Sequence, residues 1–243
     1  MDTNGRSIPA DATPTPAAAQ DGEAALTPSE MLALMRDQQR TTRTRLDRAL
    51  YILLGTWAVA WFVGFQALWS AEDGGASPIL RIPTATAFII FGSLMIVGVI
   101  VSVVCGVSMG RGMRGRSNTA GTLYGFSWSI SMMGAWFFAA SLLRHVQDPA
   151  LAPLLMPGIF VITIGVLYMA GAAMSRSGAQ FALGVAVVVL AVVATALGAP
   201  THYLIYSTAG PLIFVTFIVL LRAGVISSEP GARTPVPEGG ARA

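Results

Sequence analysis

The sequence predicts an all-α fold: a polytopic membrane protein with six transmembrane helices in three hairpins, preceded by an amphipathic cytoplasmic helix. Three observations carry this. Hydrophobic residues fill 54% of the 243 positions and charged residues only 11%, against about 25% charged in a soluble domain. The apolar residues gather into six runs, each near the roughly 20 residues a helix needs to cross hydrocarbon. None of these runs contains Asp, Glu, Lys or Arg.

The elements follow in order. Residues 1–26 are rich in Pro, Ala, Thr and Asp. Such a segment cannot bury enough apolar surface to offset its ordering entropy, so disorder is expected. No basic n-region precedes a short apolar run, so it does not read as a secretory signal. At Thr27-Pro28-Ser29-Glu30 the texture changes. Thr27 suits an N-cap, Pro28 the first helical position, and Glu30 can reach back to a free amide. Residues 27–48 then read as an amphipathic basic juxtamembrane helix. It either lies on the membrane surface or runs straight into the first span. Arg36, Arg40, Arg43, Arg45 and Arg48 sit against lipid headgroups on the first reading and only set topology on the second.

The transmembrane domain is expected over 49–224. Its spans are about 49–70, 84–109, 119–142, 153–174, 179–199 and 203–221. Short connections make consecutive spans antiparallel neighbours. The tail 225–243 is rich in Pro, Gly and Ser and reads as disordered.

Orientation follows from arginine. Arg36, Arg40, Arg43, Arg45 and Arg48 before span 1, Arg111, Arg114 and Arg116 between spans 2 and 3, Arg176, Arg222 and Arg233 all fall on one side. The other side has Arg81 and Arg144 with Glu72, Asp73 and Asp148. Both termini are therefore expected in the cytoplasm. All 15 basic residues are Arg. With the abundance of Ala, Gly and Val, this reads as the codon usage of a GC-rich bacterium and places the chain in a bacterial cytoplasmic membrane. No aromatic platform interleaves with the arginines, so no nucleic-acid partner is expected.

Catalysis needs titratable groups gathered in one water-accessible pocket. The spans offer none, so no enzyme activity and no catalytic, cofactor or metal site is expected. Cys105 is a lone thiol in an apolar run, without a Cys-x-x-Cys spacing. His145 and His202 read as members of outer connections, with Asp148 nearby in sequence and no metal-ligand spacing. Proton- or sodium-coupled transport often places an Asp, Glu or His near mid-membrane. The absence of acids from the spans argues against a proton relay, while leaving uncoupled passage or an external energy source open.

Span 3 is unusual. Residues 121–138, GTLYGFSWSISMMGAWFF, hold three glycines, three serines and a threonine. At about 100° per residue the helix divides into three strips. Asn118, Gly121, Thr122, Gly125, Ser129, Met132 and Trp136 form one; Ala120, Tyr124, Ser127, Ser131, Gly134 and Phe138 form another. Leu123, Phe126, Ile130 and Phe137 form a third, bulky and apolar, suited to lipid. Small residues permit close helix approach and hydroxyls can bond across helices. The first two strips are therefore expected to be covered by protein, which puts span 3 at the centre of the bundle. They either line a path or pack.

Span 6 contains Ser207-Thr208-Ala209-Gly210-Pro211. Pro211 cannot donate to the Ser207 carbonyl, so a kink is expected. A broken helix there could bind a solute. Trp57 and Trp61, with Gly55 and Gly64, read as a packing stripe on span 1 rather than a ligand cage. Span 5, nearly all Val, Ala and Leu, reads as lipid-facing or peripheral.

The basic helix, then Leu50-Tyr51 and the run GTWAVAWFVGF over 55–65, then five more spans, resembles six-span membrane proteins of GC-rich bacteria. Those are loosely labelled transporters, without an assigned substrate. In size, span number and topology the chain is also similar to permease subunits of ABC-2 type exporters. That resemblance implies an ATPase partner. The element available to engage one, Arg111–Asn118, is shorter than in those permeases.

Two functional classes result. One is a transporter or permease subunit, with a path near spans 3 and 6. The other is a non-transporting scaffold, accessory or regulatory subunit acting through helix packing. The lipid bilayer is the first partner in either case. A homo-oligomer or a partner membrane subunit is expected beside it.

Overall fold

The structure, a computed structural model, describes residues 27–72, 81–110, 116–146, 148 and 150–226. Among the described residues there is no strand. Six helices follow one another: α1 Pro28–Ala71, α2 Thr84–Gly110, α3 Arg116–His145, α4 Leu151–Ser175, α5 Gly178–Leu197 and α6 Thr201–Arg222. All six are long and apolar enough to cross a membrane, so the chain is a multi-pass membrane protein. Segment 1–26, Arg111, Arg114 and nearly all of the tail 225–243 lie outside the described residues.

The chain divides into two units, up to Thr41 and from Thr42 onward. In the first, the helix starts at the expected capping box. The Glu30 carboxylate accepts from the Thr27 backbone N–H at 2.8 Å, and the Glu30 N–H donates to the Thr27 hydroxyl at 3.3 Å. Two amides that would lack partners at a helix start are thereby satisfied. Met31, Leu32, Leu34 and Met35 are exposed on this unit, as are Arg36 and Arg40.

In the second unit, side-chain register shows how the helices pair. On α1, Trp57 meets Gly98 and Gly64 meets Phe91 of α2. Increasing number on one helix matches decreasing number on the other, so the pair is antiparallel. The same rule joins α1 to α6, where Tyr51 lies under Arg222 and Phe65 meets Tyr203 and Tyr206. It joins α4 to α5 through Gly158–Thr195 and Gly165–Val188. It joins α3 to α4, where the Tyr124 ring lies against Gly171 and the Trp128 ring on Tyr168. These contacts run in the order α2, α1, α6, α5, α4, α3.

Lipid tails are as apolar as leucine, so helix association in a membrane relies on close packing and polar contacts. The glycines show where this operates. A Cβ on Gly165 would come within 2.8 Å of the Gly184 carbonyl, and one on Gly184 within 2.7 Å of the Gly165 carbonyl. The two helix backbones therefore cross in direct contact. Gly98 makes room for the Trp57 indole, whose N–H donates to Ser102 at 3.0 Å. Gly210 makes room for Trp61. The expected packing stripe on α1 is thus realised at Trp57, Trp61 and Gly64, while Gly55 has open space beside it.

Two expectations are corrected. Span 3 is not the centre: its most apolar stretch is 6% buried, against 44% for α1 and 33% for α5. α5, expected at the periphery, carries core residues Leu183, Val187, Leu190, Ala191 and Ala194. The physical reason lies in neighbours: α5 packs against both α4 and α6, and small side chains let them come close. Gly184, Ala191 and Ala194 give α5 a shallow face that neighbours can approach. α3 has such a face too, yet it is held by α4 along one strip only.

Candidate functional site

The most enclosed polar groups lie on α6. Its buried face carries His202, Tyr203, Tyr206, Ser207, Gly210 and Phe214, recurring at the three- and four-residue spacing of one helix face. Opposite stands α1. The Trp61 ring meets Tyr206 and Phe214 edge-on at 6.3 and 5.3 Å, and Phe65 lies 5.0 Å from Tyr206. Edge-to-face pairs of this kind are each worth about 0.5–1.5 kcal/mol beyond the area they bury.

His202 was expected in a connection and instead is 0% exposed, inside α6. The turn before it is short: Gly198, Ala199 and Pro200, with Gly198 at a φ of 76° that favours glycine. α6 therefore starts at Thr201, and the histidine faces inward within its first turn. The Nε2 of His202 lies 2.8 Å from the Pro153 carbonyl of α4. The Gly198 carbonyl accepts the His202 backbone N–H at 2.9 Å and lies close to the ring. The Tyr206 hydroxyl lies beside Thr195 of α5. Neither His202 Nδ1 nor the Tyr206 hydroxyl closes a hydrogen bond. Thr195 is also the atom nearest to where a Cβ on Gly158 would stand, at 3.1 Å. α4, α5 and α6 thus converge on one sealed polar junction at the start of α6.

Ser207 is 0% exposed and Thr208 is exposed. Both hydroxyls donate to the Leu204 carbonyl, at 2.9 and 2.7 Å. They satisfy α6's own backbone one turn before the carbonyl that Pro211 leaves without a donor. α6 is continuous through Pro211, from Thr201 to Arg222. Gly210 is buried under Trp61.

On α3 Tyr124, Ser127, Trp128, Ser131 and Met132 are among the half-buried residues, and Ala139 is buried. The Tyr124 hydroxyl donates to the Leu167 carbonyl at 2.7 Å. Ser127 turns back to the Leu123 and Tyr124 carbonyls at 2.9 and 3.0 Å. Gly121, Thr122, Gly125 and Ser129 are exposed. No atom lies within 4 Å of a Cβ built on Gly121, Gly125 or Gly134. The bulky strip is exposed as expected, with Leu123 at 65% and Ile130 at 69%. The strip carrying Gly121, Gly125 and Ser129, expected under protein, is open within this chain. Asn118 and Arg116 lie on the first turns of α3. The structure brings Ser207, Gly210 and Pro211 together on α6 and does not bring the α3 serines to them.

Arg43, Arg45 and Arg48, before the membrane-spanning part of α1, are exposed. Among the described residues no group of three or more His, Cys, Asp or Glu could hold a metal ion. Cys105 is buried on α2.

Sequence reasoning found Ser207 and Gly210 through their proline. It missed His202 and Tyr206. The available signal was spacing: His202, Tyr206 and Gly210 recur at every fourth residue, in phase with Trp57, Trp61 and Phe65 on α1. Compared with known proteins, the chain matches no family model, no curated relative and no solved structure.

Proposed function

We propose that this chain is a small membrane transporter or permease subunit, inserted in a cytoplasmic membrane with both termini inside. Its solute contact is on α6, where that helix meets α1, α4 and α5. The observation that carries this reading is the unpartnered polar chemistry inside the bundle: His202 Nδ1 and the Tyr206 hydroxyl. Buried polar groups are normally hydrogen-bonded. An exception on a proline-containing helix, in the interior of a membrane bundle, is where a transported species finds donors and acceptors. The arginine bias at each connection supports the orientation and puts the His202 junction toward the outside. On this reading the α3 serines pack or meet lipid, and the path runs by α6.

The test is reconstitution into vesicles and solute uptake across a panel of small polar solutes. Tyr206→Phe and Ser207→Ala are expected to lower uptake. Simultaneous replacement of Ser127, Ser129 and Ser131 by Ala is expected to leave it unchanged. Uptake lost in the α3 triple variant and retained in the α6 variants would refute the placement.

A second reading, an accessory subunit working through helix packing, is favoured by one observation. Gly92 and Gly106 on α2 and Gly121, Gly125 and Gly134 on α3 all have open space where a neighbour could approach. Co-purification from native membranes separates the readings. A co-purifying ATPase supports a permease subunit of the exporter kind. A membrane partner without any uptake activity supports the accessory role.

A further inference from the structure

His202 donates or accepts through two distinct nitrogens, and the structure fixes one of them. A carbonyl only accepts. The 2.8 Å contact with Pro153 therefore requires a proton on Nε2 in every charge state of the ring. In the neutral ring Nδ1 is then a bare lone pair. It is sealed from solvent, 0% exposed, and has no hydrogen-bond partner.

A positive charge at that atom is opposed by burial and by the positive end of the α6 dipole, and is met by carbonyl acceptors beside it. The Gly198 carbonyl lies close to the ring. It already accepts the His202 backbone N–H, but a carbonyl has two lone pairs and can take a second donor. Gly198 is also the C-cap of α5, so the negative end of the α5 dipole and the positive end of the α6 dipole meet at this junction. The Tyr203 ring lies 3.9 Å away, centroid to centroid, within range of a cation–π contact.

The other groups at this end of the bundle are named readily. On α6 they are Tyr203 and Tyr206; Glu72, just after α1, is near enough to act on Tyr203. α4 presents the Pro153 carbonyl and α5 the Thr195 hydroxyl. Among the described residues Arg81, Arg144, His145 and Asp148 are exposed. The described contacts of the ring bring no arginine to it.

We propose that His202 Nδ1 is a proton-binding site, loaded from the side of the membrane that carries the α3–α4 and α5–α6 connections. A hydronium ion gives its proton to the Nδ1 lone pair and leaves as water. The ring becomes a cation, and the new N–H donates to the Gly198 carbonyl. The Nε2–H bond to Pro153 is kept throughout, so α4 and α6 stay joined in both states. Release reverses the step. The spans carry no Asp or Glu, and this imidazole does the work such an acid would do. Its role as the coupling ion of a transporter rests on the reading proposed above; proton binding itself does not.

The chain has two histidines, His145 and His202, which makes the test direct. Full-length protein is labelled with nitrogen-15 in its histidine rings, and His145→Gln assigns the remaining signals. Near about pH 8 His202 is expected to show one protonated and one bare nitrogen, and by about pH 5 two protonated nitrogens, over the range where imidazoles change charge. The same protein in vesicles, given an acid exterior, is expected to admit protons. His202→Gln keeps a donor for Pro153 and cannot be protonated. It is expected to reduce proton entry to the level of empty vesicles, with its thermal unfolding little changed.

A bare Nδ1 that persists to about pH 5, holding only a water, overturns the site. So does a proton found on Nδ1 near about pH 8 with Nε2 bare. Titration of the ring without proton entry supports the binding site and overturns the transport reading alone.

Discussion

At the scale of single residues, glycine separates what is packed from what is open. Gly165 and Gly184 each place the other's carbonyl where a side chain would begin. The obstacle is backbone, which cannot swing aside. Gly184→Ala is therefore expected to destabilise the folded protein by about 1–3 kcal/mol, the usual cost of overpacking. Gly125→Ala meets nothing within 4 Å and is expected to be neutral or to stabilise by up to about 1 kcal/mol through helix propensity. Unfolding of both variants in the same detergent checks the pair. A large loss at Gly125 would mean that another chain covers it in solution. The sequence shows the same Gly-xxx-Gly spacing wherever it occurs. It does not show whether a neighbour fills the groove, because that depends on which helix arrives there. His202 was misread for a related reason. Starting the sixth span at 203 left it in a connection, and only the shortness of the Gly198–Pro200 turn puts the ring inside.

At the scale of elements, helix boundaries were the most legible feature, because length, charge exclusion and capping chemistry are local. The Thr27–Glu30 box is an example, formed as its residue types require. It also yields a pH dependence. The Thr27 backbone N–H, and then the Thr27 hydroxyl, hold the Glu30 carboxyl below its ordinary value of 4.5. A carboxylate with a lowered folded pKa contributes stability above the unfolded value, and that contribution is lost as pH falls through the folded value. Backbone amides at the start of α1 are therefore expected to keep their exchange protection above pH 4.5 and lose it progressively below. In Glu30→Ala the protection is expected to be lower and flat across the same range. Hydrogen exchange on the full chain measures both. The burial of whole elements was less legible. Composition made α5 look like a lipid-facing helix and α3 like a central one. Lipid and a protein interior are both apolar, so hydropathy cannot tell them apart. Side-chain size on one face decides, together with the order in which neighbours pack.

At the scale of the whole molecule, the contact order α2, α1, α6, α5, α4, α3 explains why the expected centre stands at one end. α1 and α6 close on each other through aromatic rings, which brings the first and last spans together. α2 and α3 are then the least buried helices, at 11% and 6% of their apolar stretches. They also hold Gly92, Gly106, Gly121, Gly125 and Gly134, each with nothing beside it. Glycine lowers helix propensity by roughly 1 kcal/mol relative to alanine, and against lipid nothing offsets that. A second subunit approaching closely would offset it. On the oligomer reading, a single cysteine at Gly125, with Cys105→Ala, is expected to form an intermolecular disulfide in native membranes. A cysteine at Ile130, on the bulky strip that is 69% exposed, is expected to remain monomeric because its face meets lipid. Equal cross-linking at both positions would mean random collision. Cross-linking at neither would leave lipid as the occupant of the α3 face and remove the packing role for Gly121, Gly125 and Ser129.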